Sequence, residues 1–185
     1  MRHGTLIALA PGGYPQVSIL PFVKTDEVIE LHCVQADPTF DAVRANPHVT
    51  FFVSDFLAWS PHSWVDETDA GRATLHFRAV AFECDVERTS TDPEDVAAAL
   101  SRLLATYEPG ASYKPVQMGD FYGPRLRRLA TMRLRIVSRH IKFKTGPSGS
   151  AETKLRVAGR LRERDEPGDL RAADVIEAAV RPSPG

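Results

Sequence analysis

Residues 48–65, HVTFFVSDFLAWSPHSWV, couple an apolar run to an aromatic and polar one. His48 to Phe56 is too short and too β-branched for a membrane span, so it reads as a buried strand. It leads directly into Ala58-Trp59-Ser60-Pro61-His62-Ser63-Trp64, which puts two indoles, two hydroxyls and an imidazole at the end of that strand. Hydroxyls and ring N–H groups at a strand end can hold a polar or phosphorylated ligand, and indoles can cover a flat ring. Trp59 and Trp64 would serve equally well to close the end of a barrel.

The flanking sequence builds a β framework around this strand. GTLIALA at 4–10 is followed by the turn Pro11-Gly12-Gly13, and Gln16 to Phe22 then alternates, so the two runs form a hairpin. Val28 to Cys33 is a third strand, with Glu30 and His32 on one side and Ile29, Leu31 and Cys33 on the other. Asp37-Pro38 opens a short helix carrying Phe40 and Val43, and Asn46-Pro47 closes it. Beyond the acidic turn at 66–71, Ala73 to Val86 is a long strand. Asp92-Pro93-Glu94 starts a helix that runs to about Tyr107. A loop at 111–124 and a short basic helix, Arg125 to Ala130, precede a strand from Met132 to Lys144. Its apolar residues change parity, from Leu134 and Ile136 to Ile141 and Phe143, which predicts a bulge near Val137 to Arg139. Two helices follow, at 151–164 (Leu155, Ala158, Leu161 inward) and 170–180 (Val175, Ile176, Ala179 inward), and the tail RPSPG is expected to be disordered. Six strands that do not alternate regularly with helices predict a mostly β (α+β), antiparallel barrel with helical additions.

Composition narrows the function classes. With 185 residues the chain suits one domain with a helical appendage. A formal net charge of −1 gives no global reason to expect nucleic acid or an anionic membrane. Arg125 to Lys144 is locally basic and without acids, which suits either a solvated strand face or a phosphate site. Cys33 and Cys84 sit in apolar runs with no CxxC, which predicts reduced thiols in a cytoplasmic chain without a signal peptide. There is no GxGxxG after a strand, no P-loop, no HExxH and no GxSxG. His32, His48, His62 and His76 lack a spacing that would enforce a metal site, so none is expected. Chemistry supplied by a bound cofactor fits this inventory better than side-chain catalysis.

Several stretches, in order, resemble the PaiB-type FMN-binding proteins of the FMN-binding split-barrel, pyridoxamine-phosphate-oxidase-like group. VSILPF at 17–22 is similar to that family's ASHLPF, with Ile19 where histidine is usual. Leu31 to Pro38 is similar to GHLARANP, keeping His32 and Pro38, with Gln35 for arginine and Asp37 for asparagine. Ala58 to Val65 aligns without a gap to AYISPSWY, keeping Ala58, Ser63, Trp64 and an aromatic at 59. Ala73 to Val80 resembles PTWNYVAV loosely, and Lys142-Phe143-Lys144 begins like KFKLSQN.

The resemblance implies a six-stranded antiparallel split barrel over 1–145, with an inserted helical segment at about 92–130 and a C-terminal helical extension at 146–185. It implies a homodimer that binds FMN at its interface, either as an oxidoreductase or as a flavin-linked transcriptional regulator. The flavin ring would lie against Ser18, Ile19 and Leu20 and near Trp59. The phosphate would call on His32, Ser63 and Lys142, while Gln35 removes a cation from that site. Ser60 lies in the same stretch, and His62 and His76 are candidate replacement donors. Two alternatives remain open. One is a regulatory module touching nucleic acid, supported only by the cations at 125–144. The other is a barrel holding deazaflavin or haem, the latter ligated by His32, His76 or His140.

Overall fold

A strand with one buried face needs partners on both edges, and closing the sheet into a barrel supplies them without leaving an open edge. The computed structural model, which describes residues 2–181, shows that solution. The elements are β1 (His3–Leu9), β2 (Pro15–Lys24), β3 (Val28–Val34), α1 (Pro38–Ala45), β4 (His48–Ser60), β5 (Thr74–Ser90), α2 (Pro93–Tyr107), α3 (Gly123–Leu126), β6 (Leu129–Lys144), α4 (Ala151–Arg164) and α5 (Asp169–Val180), with short 3-10 turns at His62–Trp64 and Ala70–Arg72. The strands close in the order β1-β2-β3-β6-β5-β4. The β1–β2 hairpin pairs Leu6 with Ser18, β1 pairs antiparallel with β4, and β3 pairs antiparallel with β6. This is the expected antiparallel six-stranded α+β barrel.

The chain divides into two compact units, residues 1–53 with 81–140, and residues 54–80 with 141–185. In the first, Leu6, Ile29, Leu31, Phe51, Met132 and Leu134 are fully or almost fully buried. Phe22 and Phe51 meet edge to face at 5.0 Å. Asp37 caps α1 by accepting the Thr39 N–H at 2.9 Å, the arrangement its Asp-Pro start predicts. Val96, Ala97 and Leu126 form a satellite cluster under α2 and α3. In the second unit, α4 and α5 pack with Leu57 and Ala58 around Val157, Ala158, Leu161, Ala172, Ala173 and Ile176.

Some expectations are corrected. The basic helix at 125–130 is a shorter α3 at Gly123–Leu126, because Pro124 favours the first turn and Leu129 already pairs with Val34 as β6 begins. The change of parity along β6 does not bring a second face inward. Its buried alternation ends at Leu134, and Ile141 and Phe143 are 56% and 61% exposed. On α4 the inward residues are Val157, Ala158 and Leu161, while Leu155 is exposed. On α5 they are Ala172, Ala173 and Ile176, with Val175 only partly covered. Residues 182–185 of the C-terminal tail lie outside the described residues.

Candidate functional site

Five of the residues singled out in the sequence lie in the first unit. Ser18, Ile19 and Leu20 are on β2. Ile19 points outward and is 71% exposed, whereas Ser18 and Leu20 are half-buried. The Ser18 hydroxyl donates to the Asp37 carboxylate at 2.9 Å and lies 2.8 Å from the Thr39 hydroxyl, so the middle of β2 is tied to the cap of α1. His32 is half-buried on β3, and burial holds its imidazole below the ordinary pKa. A neutral histidine offers one donor and one acceptor to a ligand. Gln35 is engaged elsewhere, because its amide donates to the Arg127 and Leu129 carbonyls, both at 3.0 Å.

The other seven lie in the second unit. His76 on β5 is fully buried, as is Ser60 at the end of β4. The Gly146 N–H donates to His76 Nδ1 at 3.2 Å, which leaves the proton on Nε2 to be donated to Ser60 Oγ at 2.9 Å. Both ring nitrogens are therefore taken. Burial first, then the positive charges of Lys144 and Arg164, push this imidazole down to about 4. It is neutral at physiological pH, with neither nitrogen free for a haem iron or a flavin.

Trp59 and Trp64 are positioned by a residue the sequence reading did not single out. Arg164, at the end of α4, grips the buried Asp169 with two hydrogen bonds of 2.6 and 2.8 Å. It also donates to the Trp59 carbonyl at 2.8 Å and lies over the Trp64 ring at 5.0 Å from its centroid. That is a bidentate charged pair combined with a cation–π contact. The Arg164 hydrogen bonds hold the Asp169 carboxylate below the usual range. Trp64 is half-buried against the α4–α5 core, so one face of its ring is already covered. Trp59 is 48% exposed and is the indole with free aromatic surface. His62 is half-buried; Ser63 and Lys142 are exposed. The only signal that could have found Arg164 was its place in the last turn of a helix, which is too common to single it out.

Elsewhere in the first unit, a groove of about 540 Å3 is lined by His48, Thr50, Glu83, Asp85 and Val137. Its polar groups satisfy one another: His48 Nδ1 is 2.9 Å from Asp85, Asp85 also pairs with Arg135, and Glu83 accepts from Ser138. Arg133 is likewise paired with Glu87, so two cations of the basic 125–144 run are neutralised by acids of β5. Among the described residues no group of three or more His, Cys, Asp or Glu side chains is arranged to hold a metal, and no helix is long and apolar enough to cross a membrane.

A flavin asks for a flat apolar cover, hydrogen-bonding groups at the ring edge, and partners for its polyol and phosphate. In the second unit Trp59 offers exposed aromatic surface; in the first, the half-buried His32 offers one donor and one acceptor.

The structure is similar to that of the flavocytochrome Anf3 from Azotobacter vinelandii (18% identity, 83% of this chain and 67% of that one, TM-score 0.63). It is also similar to an FAD and haem binding protein from Mycobacterium smegmatis (14% identity, 83% and 71% covered, TM-score 0.60). A third likeness is to the conserved protein Rv2991 from Mycobacterium tuberculosis (18% identity, 77% and 78% covered, TM-score 0.51). At these identities the likeness shows the fold alone. No match was found among curated proteins. The family described as "Putative FMN-binding domain" matches residues 1–143. That match spans all six strands but for the last residue of β6, and the chain belongs to this FMN-binding-domain family.

Proposed function

We propose that the chain is a flavin-dependent oxidoreductase that works as a homodimer with its flavin at the subunit interface. The family match over residues 1–143 carries this reading. When bound, the flavin would supply the redox chemistry, and the protein would supply position and shielding. The residues proposed to hold it are the β2 backbone at Ser18 to Leu20, His32, Trp59 and Ser63, with FMN as the flavin the family points to. Exposed apolar side chains support self-association: Val17 and Ile19 on β2 are 57% and 71% exposed. A strand that presents large aliphatic groups to water favours a second copy of the same face.

Flavin is favoured over haem because His76, one of three candidate axial ligands, has both ring nitrogens engaged, and His140 is paired with Glu83 at 3.2 Å. A role on DNA is disfavoured by the pairing of Arg133 and Arg135 with β5 acids. The test is the visible absorption spectrum of the purified protein, with mass spectrometry of whatever it releases on denaturation. Flavin bands and a flavin mass are expected. A Soret band with a porphyrin mass, or failure of the apo protein to take up added flavin, would contradict the reading.

A further inference from the structure

Residues 108–122, between α2 and α3, form a loop anchored in the first unit. Val116 and Tyr122 pack against the buried Val96, Ala97 and Leu126, and the Tyr122 hydroxyl donates to the Lys114 carbonyl at 3.2 Å. Between these anchors residues 117–121 stay exposed, and 114–122 line a cavity of about 230 Å3. Phe121, at its wall, is 51% exposed. Two cations gather on the Phe121 ring: Lys114 Nζ lies 4.5 Å from its centroid and the Arg125 guanidinium 5.1 Å. Arg127 is a third, since its guanidinium and the Met118 methyl group both lie over Gly123, 3.5 Å from where a Cβ would sit.

Four arginines elsewhere in the first unit, Arg88, Arg102, Arg133 and Arg135, are each held by a carboxylate. Among the described residues Lys114, Arg125 and Arg127 make no ion pair, and their side-chain nitrogens donate to no protein acceptor. An aromatic ring attracts a cation through its face without using up the N–H donors. The ammonium and both guanidinium forks therefore remain available to an anion, and such forks match phosphate oxygens in geometry. Asp120 is the one carboxylate that lines the cavity, and the three cations outnumber it. The volume falls short of the roughly 300 Å3 at which pockets for drug-sized ligands begin, so it suits one compact charged group, with the rest of the ligand lying along the loop. The aromatic surface there belongs to Phe121 and to Tyr113, which is 41% exposed.

We propose that this loop is a binding site for a small phosphorylated ligand with a flat ring, in class a nucleoside monophosphate. Lys114, Arg125 and Arg127 hold the phosphate, and Tyr113 and Phe121 meet the base. The proposal stands apart from the flavin reading, and the probe that tests it contains no flavin.

The experiment is calorimetric titration of the full chain with adenosine monophosphate, adenosine, inorganic phosphate and a short single-stranded oligonucleotide. It is run at low and at physiological salt, in wild type, Lys114→Ala, Arg125→Ala and Asp120→Asn, with circular dichroism to confirm folding. Adenosine monophosphate is expected to bind saturably and more weakly as salt rises, to be displaced by inorganic phosphate, and to bind about tenfold or more tighter than adenosine. K114A and R125A should each weaken it about tenfold. D120N should tighten it about threefold by removing the opposing charge, a gain that a damaged fold does not produce. No binding of adenosine monophosphate, equal binding of adenosine, or an affinity unmoved by all three substitutions overturns the proposal. Binding of the oligonucleotide without the mononucleotide also overturns it, and assigns the loop to nucleic acid instead.

Discussion

In the second unit His76 is fully buried, and Arg164 holds the buried Asp169 with two hydrogen bonds. A fully buried histidine with both nitrogens bonded is stable only while neutral, and its pKa of about 4 lies below the ordinary 6.5. Above pH 6.5 both folded and unfolded forms are neutral, so the group is silent. As pH falls from 6.5 to about 4, the unfolded chain takes up the proton first and stability is lost; below about 4 the loss is complete. The full loss is about 3 kcal/mol. Urea denaturation from pH 7.5 to 4 should show this decline in wild type and a markedly flatter curve in His76→Gln, which keeps a donor and an acceptor without the charge. Parallel curves would remove His76 from the account. For Arg164, truncation to Ala strands the Asp169 carboxylate, which is 1% exposed, and should cost about 3–5 kcal/mol of stability, as for a buried pair that loses one partner. The sequence made His76 visible as a titratable residue on a strand. It did not reveal that His76 faces inward while its neighbour Leu75 is 41% exposed, because hydropathy alternation assigns the apolar residue to the core. Here the hydrogen bonds to Ser60 and Gly146 decide instead.

At the scale of elements, the turn between α4 and α5 shows how local geometry fixes packing. Gly168 has φ of +96°, and a Cβ there would come within 1.9 Å of the Leu57 carbonyl oxygen. Gly168→Ala is expected to destabilise the protein by on the order of 2 kcal/mol or more, from backbone conformation alone, before the clash is counted. Thermal denaturation checks this, and a variant as stable as wild type would mean that the α4–α5 turn is not seated against Leu57. Elements with strong local signals were legible. α1 was given by Asp37-Pro38 and Asn46-Pro47, α2 by Asp92-Pro93, and β3 by the alternation of Ile29, Leu31 and Cys33. Those that depend on partners were not. α3 is shorter than its basic residues suggest, because they continue into β6, where pairing with β3 overrides helix preference. Helical spacing defines a stripe but not its rotation, so it points Leu155 inward where Val157 takes the buried place.

For the whole molecule, the closed six-stranded barrel was legible because its strands outnumber and do not alternate with its helices. The candidate site was legible only as a set of residues. Their resemblance to a known family marks Ser18, His32, Trp59 and Ser63, but only the structure shows that Asp37 accepts the Ser18 hydroxyl and that Trp64 is partly enclosed. Self-association belongs to this scale too. Sedimentation should give a dimer, and Val17→Asp, on a residue 57% exposed, should weaken it about tenfold or more, the effect of a charge placed in an apolar contact, with little change in the fold of each subunit. A monomeric wild type would contradict the proposed interface.

The central claim is that this barrel holds a flavin beside the exposed indole of Trp59. Both tryptophans lie between residues 59 and 64, so intrinsic fluorescence reports on that stretch alone. Titration of the apo protein with flavin should quench this fluorescence saturably, and the quenching should shrink in Trp59→Phe while Trp64→Phe retains it. Emission unaffected by flavin, or quenching that rises linearly without saturation, would contradict the account.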